Sequence, residues 1–451
     1  MKLQRTITLT ILSLVIVFIS VMSAPAQSRR SLSLDQTIKI GLEQSKTLHA
    51  SLMRVDAANA KSSETNTSRL PKVTFGGTYT RLSEVDPYQI TMSFLPAPNN
   101  VFTLSPAIFN NYNLKLTLQQ PLFTGFKISS GNEMAEYNAS ATEQDYKKDQ
   151  ADLVLNIKNA YWSLFKVQEV KKVLDENVGQ IQSHLKDVQN LFNQGIATNN
   201  EVLKVQVQLS NVQLMLLDME NNVQLAMVNL NYLMNQPLST EIELTSTPND
   251  NIDYSVKESL DELIVKALEN RTEIKGMEYR VKAGESAVTF AKSGWYPQVY
   301  LVGNYNYSRP NQRILPTQDK FDGTWDASIA LSFDVWNWGQ TINQTQQAQA
   351  QLEQAHDGLA QLRDGISMEV TSSYLSLKKS KESIELATKG VKQAEENYRI
   401  TNEKFKAGLA SNTDLLDAEV AQLQAKTNYT TSLVDFELAQ ARLEKSLGEQ
   451  Q

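Results

Sequence analysis

The chain contains no cysteine. That excludes disulfides, thiolate metal sites, a cysteine nucleophile and a lipid-bearing N-terminal cysteine. Histidine is almost as scarce, with only His49, His184 and His356 in 451 residues, which argues against a histidine-rich metal site. Positive charge is in deficit: 43 Lys and Arg face 50 Asp and Glu, for a net of −7, which argues against a nucleic-acid partner. A mean hydropathy of −0.36 argues against a helical membrane protein. There is no glycine-rich phosphate loop and no paired set of carboxylates in an evident pocket, so nothing supports an enzyme; no catalytic residue, cofactor or metal is expected. The apolar fraction of 41% is nevertheless enough for a folded protein.

The one long hydrophobic run lies at the start. Lys2 and Arg5 precede an apolar stretch, Ile7 to Met22, and Ala24-Pro25-Ala26 has the small-residue form of a cleavage site. Residues 1–26 are therefore expected to be a secretory signal peptide, with the mature chain starting at Gln27. The stretch is short for a membrane span, and no apolar run of 18 residues follows it.

The remainder repeats itself. Ser33-Leu34-Asp35-Gln36 matches Ser259-Leu260-Asp261-Glu262 at an offset of 226, as do Pro71 with Pro297, Gly77 with Gly303, and Tyr79 with Tyr305. Further on the offset is 213: Phe123 matches Trp336, Tyr161 matches Tyr374, and Phe192-Asn193-Gln194-Gly195 matches Phe405-Lys406-Ala407-Gly408. The first copy thus carries 13 extra residues between Tyr79 and Phe123. Two copies at constant offsets indicate a duplication. They are expected at 27–236 and 259–451, joined by a linker at 237–258. Each copy has a helical segment (34–67 and 260–292), two strands, a long helix (about 127–192 and 340–405) and a shorter helix (about 199–235 and 412–447).

The strands, expected at about 72–81, 112–121, 298–308 and 327–335, alternate an apolar face with a polar one. Val73, Phe75 and Tyr79 oppose Lys72, Thr74 and Thr78, and Leu114, Leu116 and Leu118 oppose Lys115, Thr117 and Gln119. This pattern suits a membrane β-barrel and equally a soluble sheet packed on helices. Four strands cannot close a barrel, and an open edge cannot sit in lipid, so a membrane version must draw strands from several copies of the chain. Tyr79, Phe123, Tyr305, Trp336 and Trp338 cluster near strand ends, where an aromatic interface belt belongs.

A helix of about 65 residues is roughly 100 Å long at 1.5 Å per residue. Leu174, Val178, Ile181, Leu185, Val188 and Phe192 alternate at four and three, as do Val202, Val205, Leu209, Val212, Leu216 and Met219, which is coiled-coil spacing. Gly195 and Gly408 stand where a helix ends in a left-handed residue. Thr198-x-x-Glu201 and Ser411-x-x-Asp414 read as capping boxes for the next helix. A helix reversal is thus written twice.

Taken together, the duplication, the paired strands, the long helices and the tip motifs Phe192-Asn193-Gln194-Gly195-Ile196, Phe405-Lys406-Ala407-Gly408-Leu409 and Asp414-Leu415-Leu416-Asp417 resemble the TolC family of outer-membrane efflux proteins. A surface coiled-coil protein of structural or adhesive type would share the helices but would not need twice-repeated amphipathic strands. The resemblance implies a mainly α protein with membrane β. Its duplicated helix–strand–strand–helix units would form a homotrimeric 12-stranded β-barrel continuous with an α-helical coiled-coil barrel. It implies a Gram-negative outer-membrane location with a periplasmic tunnel, and service as an exit duct for an inner-membrane transporter reached through a periplasmic adaptor protein.

By the same resemblance Asp414 and Asp417, three apart on one helix face, would form a cation-attracting constriction in a trimer, a role compatible with capping by Asp414. Glu201 would extend the ring, and Lys204 is either solvated or pairs with Asp414 or Asp417. Gly195, Ile196, Ala197, Gly408, Leu409 and Ala410 are the adaptor-docking candidates. The family's closed-state latch typically uses a Tyr and an Arg near the second tip; Phe405 and Ala410 stand there instead, a departure that speaks against a lock of that kind, and gating is expected to rest on packing and on other charges.

Overall fold

A computed structural model describes residues 30–98, 100–105, 107–248 and 258–449. The expected signal peptide lies outside the described residues. Eight helices carry most of these: α1 (Leu34–Gln44), α2 (Lys46–Asn66), α3 (Lys127–Asn193), α4 (Asn199–Leu233), α5 (Leu260–Asn270), α6 (Thr272–Lys292), α7 (Gln340–Lys406) and α8 (Asn412–Ser446). The strands are β1 (Arg30–Leu32), β2 (Lys72–Arg81), β3 (Tyr88–Thr91), β4 (Val101–Ser105), β5 (Asn110–Phe123), β6 (Ile242–Leu244), β7 (Gln298–Arg309) and β8 (Asp322–Ser332). Helix α1 starts 226 residues before α5, and α3 starts 213 before α7. The chain is mainly helical with strands, in duplicated helix–strand units.

By contact the chain divides into two units. Of the described residues, the first holds those up to 53, 145–274 and 361–451, and the second holds 54–144 and 275–360.

The helical unit is built on the seams read from the sequence. Leu174, Ile181 and Val188 of α3 are buried against Val202, Val205 and Val212 of α4. Phe192, placed on that seam, departs from it and is exposed, because the helix ends one residue later and its last turn has no partner turn to pack on. A second core surrounds Tyr161, Trp162, Leu164, Leu230 and Val434. Tyr161 is fully buried, and its hydroxyl donates to the Leu32 carbonyl (3.2 Å) and accepts from the Ser246 amide (2.9 Å).

Three sequence expectations are corrected here. Each helical segment of about 30 residues is two helices, interrupted at Ser45 and at Arg271, whose extended backbone (ψ 120° and 126°) breaks the ladder. The stretch 237–258 is more than a linker, since β6 pairs in parallel with β1 and buries Ile242 and Leu32. Three-residue strands carry no periodic signal, so pattern alone cannot reveal them.

The third correction concerns the sheet of the second unit. It has the order β2-β5-β7-β8, all antiparallel, so the two copies meet at β5–β7. Strand β8 occupies 322–332 rather than about 327–335, because its ladder with β7 extends from Ser332 against Gln298 to Asp322 against Ser308 and adds Trp325 opposite Tyr305. Strand β5 extends beyond 112–121 at both ends, with an irregularity at Pro121 that fits proline's missing donor. The segment between β2 and β5 contains a hairpin of β3 and β4.

The faces of this sheet separate as alternation requires. Thr117, Asn304 and Asp326 share one face and form a hydrogen-bonded row across three strands, at 2.9 and 2.7 Å. The opposite face carries Phe75, Leu116, Tyr305, Trp325 and Ile329, all exposed. Strands β2 and β8 are its edges.

Candidate functional site: the helical tips and the sheet face

Both helix reversals form as local chemistry dictates. Gly195 (φ +77°) and Gly408 (φ +74°) hold the left-handed position. The amides that follow reach back into the last helical turn, Ile196 to the Leu191 carbonyl (2.9 Å) and Leu409 to the Lys404 carbonyl (2.7 Å). Each next helix opens with a reciprocal box. Glu201 Oε2 accepts from the Thr198 amide at 2.6 Å, and Asp414 Oδ2 accepts from the Ser411 amide at 2.8 Å and from its hydroxyl at 2.7 Å. The Ser411 hydroxyl and amide hold the Asp414 carboxyl below the usual carboxylate range, so this aspartate is charged at neutral pH.

The two reversals meet within the chain. Asn412 Nδ2 donates to the Glu201 carbonyl (3.3 Å), and Lys204 Nζ donates to Thr413 Oγ1 (3.4 Å). Glu201, Lys204 and the 411–414 turn are therefore neighbours. Within the chain Lys204 pairs with neither Asp414 nor Asp417; it is exposed, and its ammonium reaches only the Thr413 hydroxyl. Asp417 is exposed one turn beyond Asp414. Of the docking candidates, Ile196 (70%) and Leu409 (79%) point outward, Gly195 and Gly408 are exposed, Ala410 is half-buried, and Ala197 packs against the α3–α4 seam.

The interface candidates divide. Tyr79 and Tyr305 lie exposed on the apolar sheet face, and Tyr79 leans on Tyr112 at 5.0 Å between centroids. Phe123 sits with Phe126 and Tyr296 in an edge-to-face cluster at the strand-to-helix junction. At the corresponding junction of the second copy Trp336 and Trp338 contact each other at 5.8 Å and remain exposed.

Sequence reasoning missed a buried pair above the tips. His184 Nδ1 of α3 lies 3.2 Å from Glu419 Oε2 of α8, and their side chains are 2% and 1% exposed. Phe405 of α7 places its ring edge-on to the imidazole at 5.3 Å. The available signal was a histidine set beside the apolar seam residues Ile181, Leu185 and Val188.

Among the described residues no helix is long and apolar enough to cross a membrane, and no cluster of three or more His, Asp or Glu could hold a metal. An open sheet with an exposed apolar face, joined by sequence to helices capped at a double tip, has the features of a membrane channel subunit. The sequence matches the family described as outer membrane efflux protein over residues 37–236 and 263–449, and the chain belongs to that family, whose members are non-enzymatic outer-membrane channels of Gram-negative bacteria for efflux or secretion. It is 23% identical over 327 residues to toxin and drug export protein A of Aggregatibacter actinomycetemcomitans, covering 69% of each chain. It is 20% identical to outer membrane protein TolC of Vibrio cholerae, covering 70% of this chain and 72% of that one. It is also 21% identical to alkaline protease secretion protein AprF of Pseudomonas aeruginosa, covering 74% and 69%. Among solved structures, the fold is similar to the outer-membrane channel OprN (TM-score 0.78, 18% identity, 92% and 90% covered) and to VceC of Vibrio cholerae (TM-score 0.77, 19% identity, 92% and 96% covered).

Proposed function

We propose that three copies of this chain assemble into one exit duct. Each copy would contribute four strands to a 12-stranded barrel in the outer membrane, and its helices to a tunnel in the periplasm. The observation that carries this reading is the four-stranded sheet with one exposed apolar face, one polar face and two open edges. Lipid tolerates such a sheet only if neighbouring copies pair its edges. The polar row Thr117–Asn304–Asp326 then lines the lumen.

The double tip is the periplasmic gate in this reading. Asp414 and Asp417, with Glu201 behind them, place three rings of carboxylate at the entrance, and a narrow ring of like charge attracts cations and binds multivalent ones. Ile196 and Leu409 project apolar side chains beyond the helix ends, which fits docking to a periplasmic adaptor that links the duct to an inner-membrane transporter. The relatives' names attach to toxins, drugs and a protease, which fits a duct whose cargo is chosen by the pump.

Single-channel recording of the purified protein in a planar bilayer tests the reading. We expect a small cation-selective conductance that a trivalent cation blocks from the tip side. Asp414→Ala/Asp417→Ala should abolish the block. A blocked double variant would remove the ring, and a membrane-inserted protein whose subunits do not associate would remove the duct.

A further inference from the structure

The departure at Phe405 and Ala410 leaves open what holds the gate, and the helical unit contains a candidate that runs between the two copies. Three polar pairs connect α3 to α8 in antiparallel order. Glu176 meets Lys426 at 3.4 Å, Gln180 meets Gln422 at 3.2 Å, and His184 meets Glu419 at 3.2 Å. On α3 these residues are four apart, so they lie one above another on a single stripe. Burial increases along the row: Glu176 is well exposed, the glutamine pair is half-buried and the His–Glu pair is closed off from water. Phe405 of α7 covers the lowest pair, and Leu415 is buried in the next turn toward the tip.

Such a row is not what stability alone selects. Apolar side chains of the same volume would hold two helices at least as tightly as a buried ionisable pair. Polar pairs at a helix seam fix register and make the contact conditional on both partners. The lowest pair is also incompletely satisfied: His184 Nε2 and Glu419 Oε1 are buried and have no hydrogen-bond partner. The pair therefore gives this packing a weak point where the two hairpins join, next to the turns that the duct reading makes the gate.

We infer that the His184–Glu419 pair, capped by Phe405, is the latch that holds the first-copy hairpin to the second-copy hairpin when the tip is closed. The inference rests on the duct reading. Opening moves α8 off α3, and the row releases from its buried end, where separation gives the two orphaned atoms access to water. Both residues are positioning residues: they touch no cargo, and they act by setting how α3 and α8 lie against each other. Lys204–Thr413 and Asn412–Glu201, nearer the turn, join the same two hairpins, but the first is exposed and both are long, at 3.4 and 3.3 Å, and correspondingly weak.

The test compares open fractions in planar bilayers for wild type, His184→Leu, Glu419→Met and the double variant His184→Gln/Glu419→Gln. Each single change strands one buried polar partner and should raise the open fraction at least about tenfold. The double variant rebuilds the pair as the Gln–Gln bond that already stands one rung above, and should return the open fraction to within about threefold of wild type. That rescue separates a latch from simple packing, which the double variant would not restore. Gln180→Leu, at the half-buried rung, gives a milder break that should fold even if a lower single variant does not; about threefold opening is expected. Unchanged single variants beside a conducting wild type would overturn the latch and leave the duct standing. A double variant as open as the singles would overturn it as well. Wild type and all variants inserted as trimers yet silent would overturn both readings.

Discussion

Arg271→Met should destabilise the helical unit by about 2–3 kcal/mol at neutral pH. The guanidinium stands at the break between α5 and α6, only 5% exposed, where Nη2 and Nε hold Glu273 at 2.6 and 3.2 Å and Nη1 holds Glu369 at 2.7 Å. Methionine fills most of the volume, so the loss is chiefly electrostatic. Removing one partner of a buried pair costs about 3–5 kcal/mol. Two features reduce that figure. Glu369 is 39% exposed and keeps Lys445 at 3.5 Å, and the same lysine acts on Glu273. Burial pushes the Glu273 carboxyl up, but the Arg271 guanidinium overrides it and holds the group below the usual carboxylate range. The folded-state value is thus depressed, so the stabilisation is complete above about pH 5 and is lost as pH falls through that value. The deficit of the variant should therefore shrink as pH falls, because burial, no longer opposed by the guanidinium, makes the stranded Glu273 take up a proton before the wild-type group does. Urea unfolding followed by circular dichroism reads these differences. Adding Glu273→Met should restore stability to within about 1 kcal/mol of wild type, since an apolar pair replaces a buried ionic one at little cost. A double variant as unstable as the single would falsify the assignment of the loss to a stranded carboxylate.

Three further outcomes follow from particular contacts. Thr198→Ala and Ser411→Ala each remove one half of a capping box and should cost about 1 kcal/mol in the same unfolding assay; no loss would mean that tip packing alone sets the helix starts. Gly125→Ala should cost roughly 3 kcal/mol, because its φ is +61° and a Cβ would stand 2.5 Å from Tyr296 Cβ, whereas Gly195→Ala (φ +77°), with open space around it, should cost about 1 kcal/mol of backbone strain alone. In single-tryptophan variants, lipids brominated in the acyl chain should quench Trp325, on the apolar sheet face, and leave Trp162, in the helical core, unaffected; an unquenched Trp325 would refute a lipid-facing sheet.

What the sequence by itself determined is whatever repeats or recurs locally. The duplication was legible because two constant offsets align Gly195 with Gly408 and Tyr79 with Tyr305. The capping boxes were legible because both of their bonds join residues three apart. The two faces of each strand followed from period two, and the α3–α4 seam from alternation at four and three. The same residues carried the family resemblance. Tertiary structure decided what lies far apart in the chain and leaves no periodic trace. The β1–β6 pair joins segments 212 residues apart, and His184 meets Glu419 across 235. Lys204 turned to Thr413 rather than to an aspartate for the same reason: spacing puts residues on one helix face, but only packing chooses the partner on another helix. Two polar side chains written far apart in a sequence become a buried pair only when the fold excludes water from both.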